Sequence, residues 1–581
     1  MMKKETDKQA DHKRNRRILI VGIVFTLCYM VIGARAFYLQ VLSGNTLSER
    51  AVAEYTRDYE SMGRRGNIYD AQMREMALTA RVVSVAARPP RIEDPMRTAG
   101  VIAEILGMEQ RRVAERLASD RPFVWIKRDA SPSQARALSG AVPHGLDMID
   151  SYSRIYPNRE LAAQTLGFVG VDGNGLEGIE YRYDEYLRGR SYSQTVVRDA
   201  LGRIFQRDEA RTPDTEGKSM VLTIDANMQN IAEQAVARAV RQHNARSGMA
   251  VVMVPQTGEI RAVANHPSFN PNTYGSFPRS SWRNRAFTDS FEPGSAMKIF
   301  TAAAAMESGI DPLRLYVDCE EGRYRIGSNI VHDNQPHELL NLQEVIQYSS
   351  NIGIVKISEM MGSEALHATL GRFGFGRRTG VGFPGEASGM LRPHHTWRRI
   401  DNAAISFGQG ISVTGVQLAT AVSAIANGGT LMKPRLVKEI RNADGSMFRS
   451  IEPEPVRRAV TPEIAGQLKT MMAAATSLEG TGFRAVPEGY TVCGKTGTAQ
   501  ILTARGDYRD SDYYAIFAGF TPAHAPELAV VVAIEAPRGQ YYGGEVAAPV
   551  FREIVRESFN YLDIPPVEPS PLIALEIAQP A

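Results

Sequence analysis

Residues 18–34, ILIVGIVFTLCYMVIGA, are apolar and carry no charge. At 1.5 Å per residue such a helix covers about 25 Å, slightly less than the roughly 30 Å hydrocarbon core of a bilayer. The apolar pattern resumes after Arg35 as AFYLQVL, and Arg35 can reach the interface with its head group. A transmembrane anchor over 18–42 is expected. The alternatives are a buried core helix and a signal peptide cleaved at the small-x-small triplet Ala34-Arg35-Ala36. The run outlasts an ordinary signal core and continues past that triplet, which favours an uncleaved anchor.

Beyond the anchor the pattern is mixed. Apolar spacing in 99–108 (AGVIAEILGM) and in the following EQRRVAERLAS predicts two helices, and RPFVWIKRD (121–129) predicts a strand. No cluster of catalytic residue types stands out between 43 and 215, so a scaffold or partner-binding role is expected there. The text changes near Gly217. KSMVLTIDANMQNIAEQAVARAV reads as a strand, Asp225 as a helix N-cap, then an amphipathic helix. GMAVVMVPQTGEIRAVANHP reads as two strands joined at Gln256-Thr257-Gly258. DYYAIFAGF and ELAVVVAIEA (512–520 and 527–536) form another antiparallel pair. Helical text fills about 295–430 between these strands. Sheet pieces enclosing helices imply an α+β layer around one central sheet. The last 17 residues contain five prolines and read as a tail.

Composition narrows the class. Apolar residues make up 43% and charged residues 23% of the 581, as in globular chains, and the length suggests more than one folded unit. The net charge of +3 is too small to argue for nucleic acid. Positive charge is concentrated before the anchor, where Lys3, Lys4, Lys8, Lys13, Arg14, Arg16 and Arg17 face only Glu5, Asp7 and Asp11. That bias predicts a cytoplasmic N-terminus and an extracytoplasmic remainder. Three cysteines, Cys28, Cys319 and Cys493, offer neither a disulfide framework nor a metal-ligand spacing. Cys493 lies in an apolar run and is expected to be a buried, inert thiol.

Chemistry enters at FEPGSAMKIFTAAAAMESG (291–309). Pro293-Gly294 predicts a turn, Ser295 a helix start and Gly309 its stop. Ser295 and Lys298 are three residues apart and so share a helix face. A serine alcohol needs a base, and lysine is one only when desolvation lowers its pKa. The apolar residues around Lys298 would provide that desolvation. SxxK alone arises easily by chance. Ser349-Ser350-Asn351, however, lies 54 residues after Ser295, and Lys495-Thr496-Gly497-Thr498 begins a further 146 on, following an apolar strand. Gly497 would let a ligand backbone approach.

SxxK, SxN and KTG in this order resemble the signature of β-lactamases and penicillin-binding proteins, with SSN here in place of SDN. The chain most resembles a class B penicillin-binding protein over about 10–560. RRGNIYD (64–70), SRIYPNRELAAQTLGFVGVDGNGLEGIEYRYDEYL (153–187), FGFGRRTGVGFPGE (373–386) and SFGQGISVT (406–414) are similar to family segments. AQMRE stands where the family has Arg-Asn-Gly after the first of these. GFVGVDGNGLEGIE is more like the septal than the elongation branch.

The resemblance implies an α+β fold. A C-terminal transpeptidase domain, with an antiparallel sheet and helices on both sides, would follow an elongated mixed α/β pedestal and one N-terminal transmembrane helix. The expected segments are a basic tail over 1–17, the anchor over 18–42, the pedestal over 43–215, the transpeptidase domain over 216–562 and a Pro-rich tail over 563–581. By the same resemblance Ser295 is the nucleophile and Lys298 its base. Ser349 relays the proton to the leaving amine, with Ser350 beside it in the site, and Asn351 holds the donor peptide. Lys495 supplies positive potential, and the Thr496 and Thr498 hydroxyls grip the donor carboxylate. Backbone N–H groups of Ser295 and Thr498 form the oxyanion hole. Gly408, Gln409 and Gly410 either line the cleft or make a structural turn. No metal or organic cofactor is implied. Expected partners are peptidoglycan stem peptides, β-lactams, the bilayer, a membrane glycosyltransferase and other division proteins. A D,D-carboxypeptidase or β-lactamase and a membrane β-lactam sensor are the competing readings.

Overall fold

A computed structural model describes residues 2–142, 145–198, 204–207, 215–502 and 508–566. The chain divides into two compact units, residues 1–63 with 190–215, and residues 64–189 with 216–581.

In the first unit a helix runs from Met2 to Phe37, so the basic tail and the apolar run form one continuous element. A π-helical turn, Tyr38–Leu42, and a second helix, Gly44–Tyr55, follow. His12–Leu42 is long and apolar enough to span a bilayer, with its apolar side chains exposed. A three-stranded sheet of Thr56–Met62, Ser191–Arg198 and Ile204–Arg207 completes this unit.

The second unit holds the central antiparallel sheet. Its strands are β1 (Ser247–Met253), β2 (Ile260–His266), β3 (Cys493–Leu502), β4 (Tyr508–Thr521) and β5 (Leu528–Glu535), in spatial order β2-β1-β5-β4-β3. The two hairpins and the turn at 256–258 are as the alternation predicts. Alternate residues face opposite layers. Val251 and Val531 join a core with α2 (Lys298–Glu307) and with α5 (Gly415–Ala426). Val252 and Val530 pack against α1 (Ala226–Gln242) and α6 (Gly543–Tyr561). Asp225 caps α1, accepting the N–H groups of Asn227 and Met228. Two further helices, α3 (Leu342–Tyr348) and α4 (Asn351–Arg372), stand on the α2 side.

The helices expected at 99–108 and after it appear as Pro95–Leu106 and Gln110–Leu117, and the expected strand as Val124–Ala130. A seven-stranded sheet unites this region with the C-terminal part. Ile68–Tyr69 pairs in parallel with Ser219–Leu222, which pairs with Val437–Arg441. Residues 64–189 therefore belong to the same compact unit as 216–581. The hydrogen-bonded sheet crosses the division expected at 215/216. The tail expected over 563–581 lies, from 567 onwards, outside the described residues.

Candidate active site

Three backbone segments meet at the turn that carries Ser295, and a glycine on each permits it. Gly294, at φ +53°, is so near β3 that an added Cβ would lie 2.6 Å from the Thr498 carbonyl oxygen. A Cβ on Gly408 would lie 2.1 Å from the Gly294 oxygen, and the Gly294 N–H donates to Gly408 O at 3.2 Å. Buried Glu292 accepts the Gly410 N–H at 2.7 Å. Residues 408–410 therefore form a structural turn that braces the segment before Ser295. Gly497 answers to the same packing. A Cβ there would lie 2.4 Å from the Pro293 oxygen, so its nearest demand comes from the protein's own chain.

Ser295 sits in a single 3-10 turn, Gly294–Met297, and the α-helix α2 begins only at Lys298. The Lys298 side chain is fully buried. Its Nζ donates to the Ser349 carbonyl and lies 3.2 Å from Ser349 Oγ. Burial above all holds this ammonium well below the ordinary lysine range; the Lys495 charge adds to the shift and Asp333 opposes it. Ser349 presents both oxygens to one lysine because it ends α3 in the left-handed conformation, at φ +64°. A non-glycine residue there costs of order 1–3 kcal/mol.

The rest of SSN starts a helix. Ser350 is the N-cap of α4, accepting the Gly353 N–H at 2.9 Å. Asn351 sends its side-chain amide to the His332 carbonyl at 2.7 Å. Asp333, which sequence reasoning missed, organises this end. It accepts the Ser350 hydroxyl and the N–H groups of Asn351 and Ile352, the last at 3.0 Å. A carboxylate suits a helix N-terminus on electrostatic grounds. The signal was an acid 16 residues upstream of Ser349, a separation that no local pattern connects to a cap.

Lys495 and Thr496 lie within β3 rather than after it, because Gly494 and Gly497 let the strand continue against its neighbours. Fully buried Lys495 is pulled down by desolvation to about 7. Among the described residues its Nζ meets only hydroxyls, Thr481 at 3.3 Å and Thr496 at 3.4 Å, and the two threonine oxygens lie 2.9 Å apart. Thr481 is the second residue missed by sequence reasoning. The Thr498 hydroxyl oxygen accepts the Gly543 N–H at 3.0 Å. Cys493 is fully buried as expected, its thiol pushed up to about 12 by desolvation.

The structure thus gathers all three motifs: Lys298 holds Ser349, Gly294 packs on Thr498, and Lys495 is near enough to repel the Lys298 charge. Residues 248–556 match the model of the penicillin-binding protein transpeptidase domain, and 60–222 that of the penicillin-binding protein dimerisation domain. The chain belongs to the class B penicillin-binding proteins. The protein is 33% identical to a probable peptidoglycan D,D-transpeptidase, PbpC, of Pseudomonas aeruginosa over 97% of this chain and 99% of the other. It is 31% identical to the peptidoglycan D,D-transpeptidase FtsI of Escherichia coli, over 97% and 94%. Penicillin-binding protein 3 of Mycobacterium tuberculosis, solved with aztreonam, superimposes with a TM-score of 0.67 at 27% identity, covering 88% of this chain and 99% of that one.

Proposed function

We propose that this penicillin-binding protein, a peptidoglycan D,D-transpeptidase, works through an acyl-enzyme on Ser295. The Ser295 oxygen attacks the D-Ala-D-Ala peptide bond, its proton passes to Lys298, and Ser349 relays a proton to the departing D-Ala nitrogen. An amine of a second stem peptide then attacks the ester, forming the cross-link and returning a proton to Ser295. The observation that carries this reading is the fully buried Lys298, hydrogen-bonded to Ser349 one turn from Ser295. A lysine so desolvated is available as a neutral base.

β3 is an edge strand of the central sheet, so one row of its backbone groups is available to an extended donor peptide. Lys495, Thr496 and Thr498 would take the donor carboxylate, Asn351 and Ser350 would order the opposite wall, and the Ser295 and Thr498 N–H groups would hold the oxyanion. Residues 18–42 would anchor the chain once, with 1–17 in the cytoplasm, 43–215 as pedestal and 216–562 as the transpeptidase domain. Septal synthesis beside a membrane glycosyltransferase fits the likeness to FtsI. Labelled penicillin should attach stably to the full-length protein and not to Ser295→Ala. Rapid release of hydrolysed drug would make the protein a β-lactamase instead.

A further inference from the structure

The two hydroxyls proposed to grip the donor carboxylate each have their oxygen engaged from outside the KTG strand. Thr498 Oγ1 accepts the Gly543 N–H at 3.0 Å, which leaves the Thr498 proton free for a ligand. Thr496 is served by a residue outside all three motifs. Thr481 Oγ1 lies 2.9 Å from Thr496 Oγ1 and 3.3 Å from Lys495 Nζ. The loop that carries Thr481 is held on two sides. The Gly482 N–H donates to the Ala475 carbonyl at 2.9 Å, and a Cβ on Gly544 would lie 2.5 Å from the Thr481 carbonyl oxygen. The start of α6 thus supports Thr498 through Gly543 and the Thr481 loop through Gly544.

A lysine ammonium donates hydrogen bonds and accepts none. The Thr481 and Thr496 oxygens therefore each receive an N–H of Lys495, and neither hydroxyl proton can turn back to it. One proton remains for the 2.9 Å contact between the two oxygens. If Thr496 supplied it, that hydroxyl would have nothing left to give a carboxylate. If Thr481 supplies it, the Thr496 proton is released to the ligand. The chain from Thr481 through Thr496 then ends on a charged acceptor, the stronger kind of hydrogen bond. Burial favours the same direction. Thr481 is exposed, so water satisfies its oxygen, whereas buried Thr496 depends on donors from the protein. We infer that Thr481 is a positioning residue for the donor substrate: its hydroxyl donates to Thr496 and so turns the Thr496 proton towards the donor's terminal carboxylate. This rests on the transpeptidase reading above. Thr481 makes and breaks no bond of the reaction.

The test uses the detergent-solubilised full-length protein and a D-alanyl thioglycolate thioester, whose free carboxylate stands for that of the terminal D-Ala, beside its methyl ester. Thr481→Val keeps the side-chain shape and removes the hydroxyl. It should lower kcat/KM about 3–10-fold for the carboxylate donor, as for one neutral hydrogen bond, and leave the methyl ester within about twofold. Thr481→Ser should restore most of the carboxylate rate. In a Thr496→Val background the Thr481→Val loss should vanish, because the group it acts through is gone. An equal loss with both donors would reduce Thr481 to a structural residue. A loss that persists undiminished beside Thr496→Val would mean that Thr481 bonds the donor directly. Either result, or no loss with the carboxylate donor, would overturn the inference. Labelled penicillin on the unaltered protein checks the underlying reading separately: absence of a Ser295 adduct would overturn the transpeptidase reading itself.

Discussion

The second unit buries charge in two opposite ways. At the join of RRGNIYD with GLEGIE, Glu180 is fully buried between two arginines. Arg65 Nε donates to it at 2.7 Å and Arg154 Nε at 2.6 Å, while Arg65 also reaches Asp184 and the Tyr156 hydroxyl adds a bond at 3.2 Å. Burial alone would lower Arg65, but Glu180 and Asp184 outweigh it and hold the guanidinium above its ordinary value. At the candidate site Lys298 and Lys495 are buried as deeply and, among the described residues, meet no carboxylate, only hydroxyls and a carbonyl. Both are pushed down. Paired burial fixes a charge and the segments that carry it. Unpaired burial makes the proton easy to lose, which is what a base needs.

The sharpest way to break this contrast is Lys298→Met, which keeps the volume and removes the amine. Adduct formation with labelled penicillin should fall about 10²–10⁴-fold. The melting temperature should hold or rise, since a desolvated amine is gone. A large loss of stability would mean that Lys298 is structural in the way Glu180 is.

Glu180→Gln should do the reverse. Two guanidinium groups would lose their counter-charge, at a cost of about 3–5 kcal/mol in chemical denaturation. Adduct formation per folded molecule should stay within about twofold of the unaltered protein. Equal damage to both would erase the distinction between the two regions.

Proton uptake sharpens it further. Acylation should decline on the acid side as Lys298 gains its proton, and above about 7 as Lys495 loses the charge proposed to bind a carboxylate. Lys495→Arg should remove only the alkaline decline. The sign for stability follows from the same shifts. Both lysines have folded pKa values below the unfolded one, so the folded state holds fewer protons in between. Stability should therefore rise as pH increases from about 7 towards the unfolded lysine value. A Lys495→Met variant should show a flatter profile in denaturation at several pH values.

The smallest effect concerns Asp333, an acid that bears on both motifs. Asp333 raises Lys298 by its charge and caps α4. Asp333→Asn should cost about 1–2 kcal/mol of stability. It should also move the acid limb of the acylation profile to lower pH, because Lys298 then protonates less readily. A limb that stays in place would confine Asp333 to capping.

Much of this protein is local, and the sequence by itself determined it. Asp225 caps α1 because a carboxylate two residues ahead of free N–H groups needs no distant partner. Val251 and Val252 face opposite layers because strand side chains alternate, and residues 18–34 lie in a helix long and apolar enough to span a bilayer because no charge interrupts them. The triplet Ser295, Ser349 and Lys495 was legible as chemistry, since few other uses demand those residue types in that order. Only the tertiary structure decided what surrounds them. That Gly497 yields to Pro293, that Gly408 braces Gly294, that Thr481 meets Lys495 and that Asp333 caps α4 are contacts between segments far apart in the chain. So is the sheet that carries Ile68 and Met220 side by side across the expected domain boundary. Periodicity reports which face of an element is buried, but not which distant element covers it; that choice is made by packing, where backbones approach within ångströms and burial sets the pKa of each lysine.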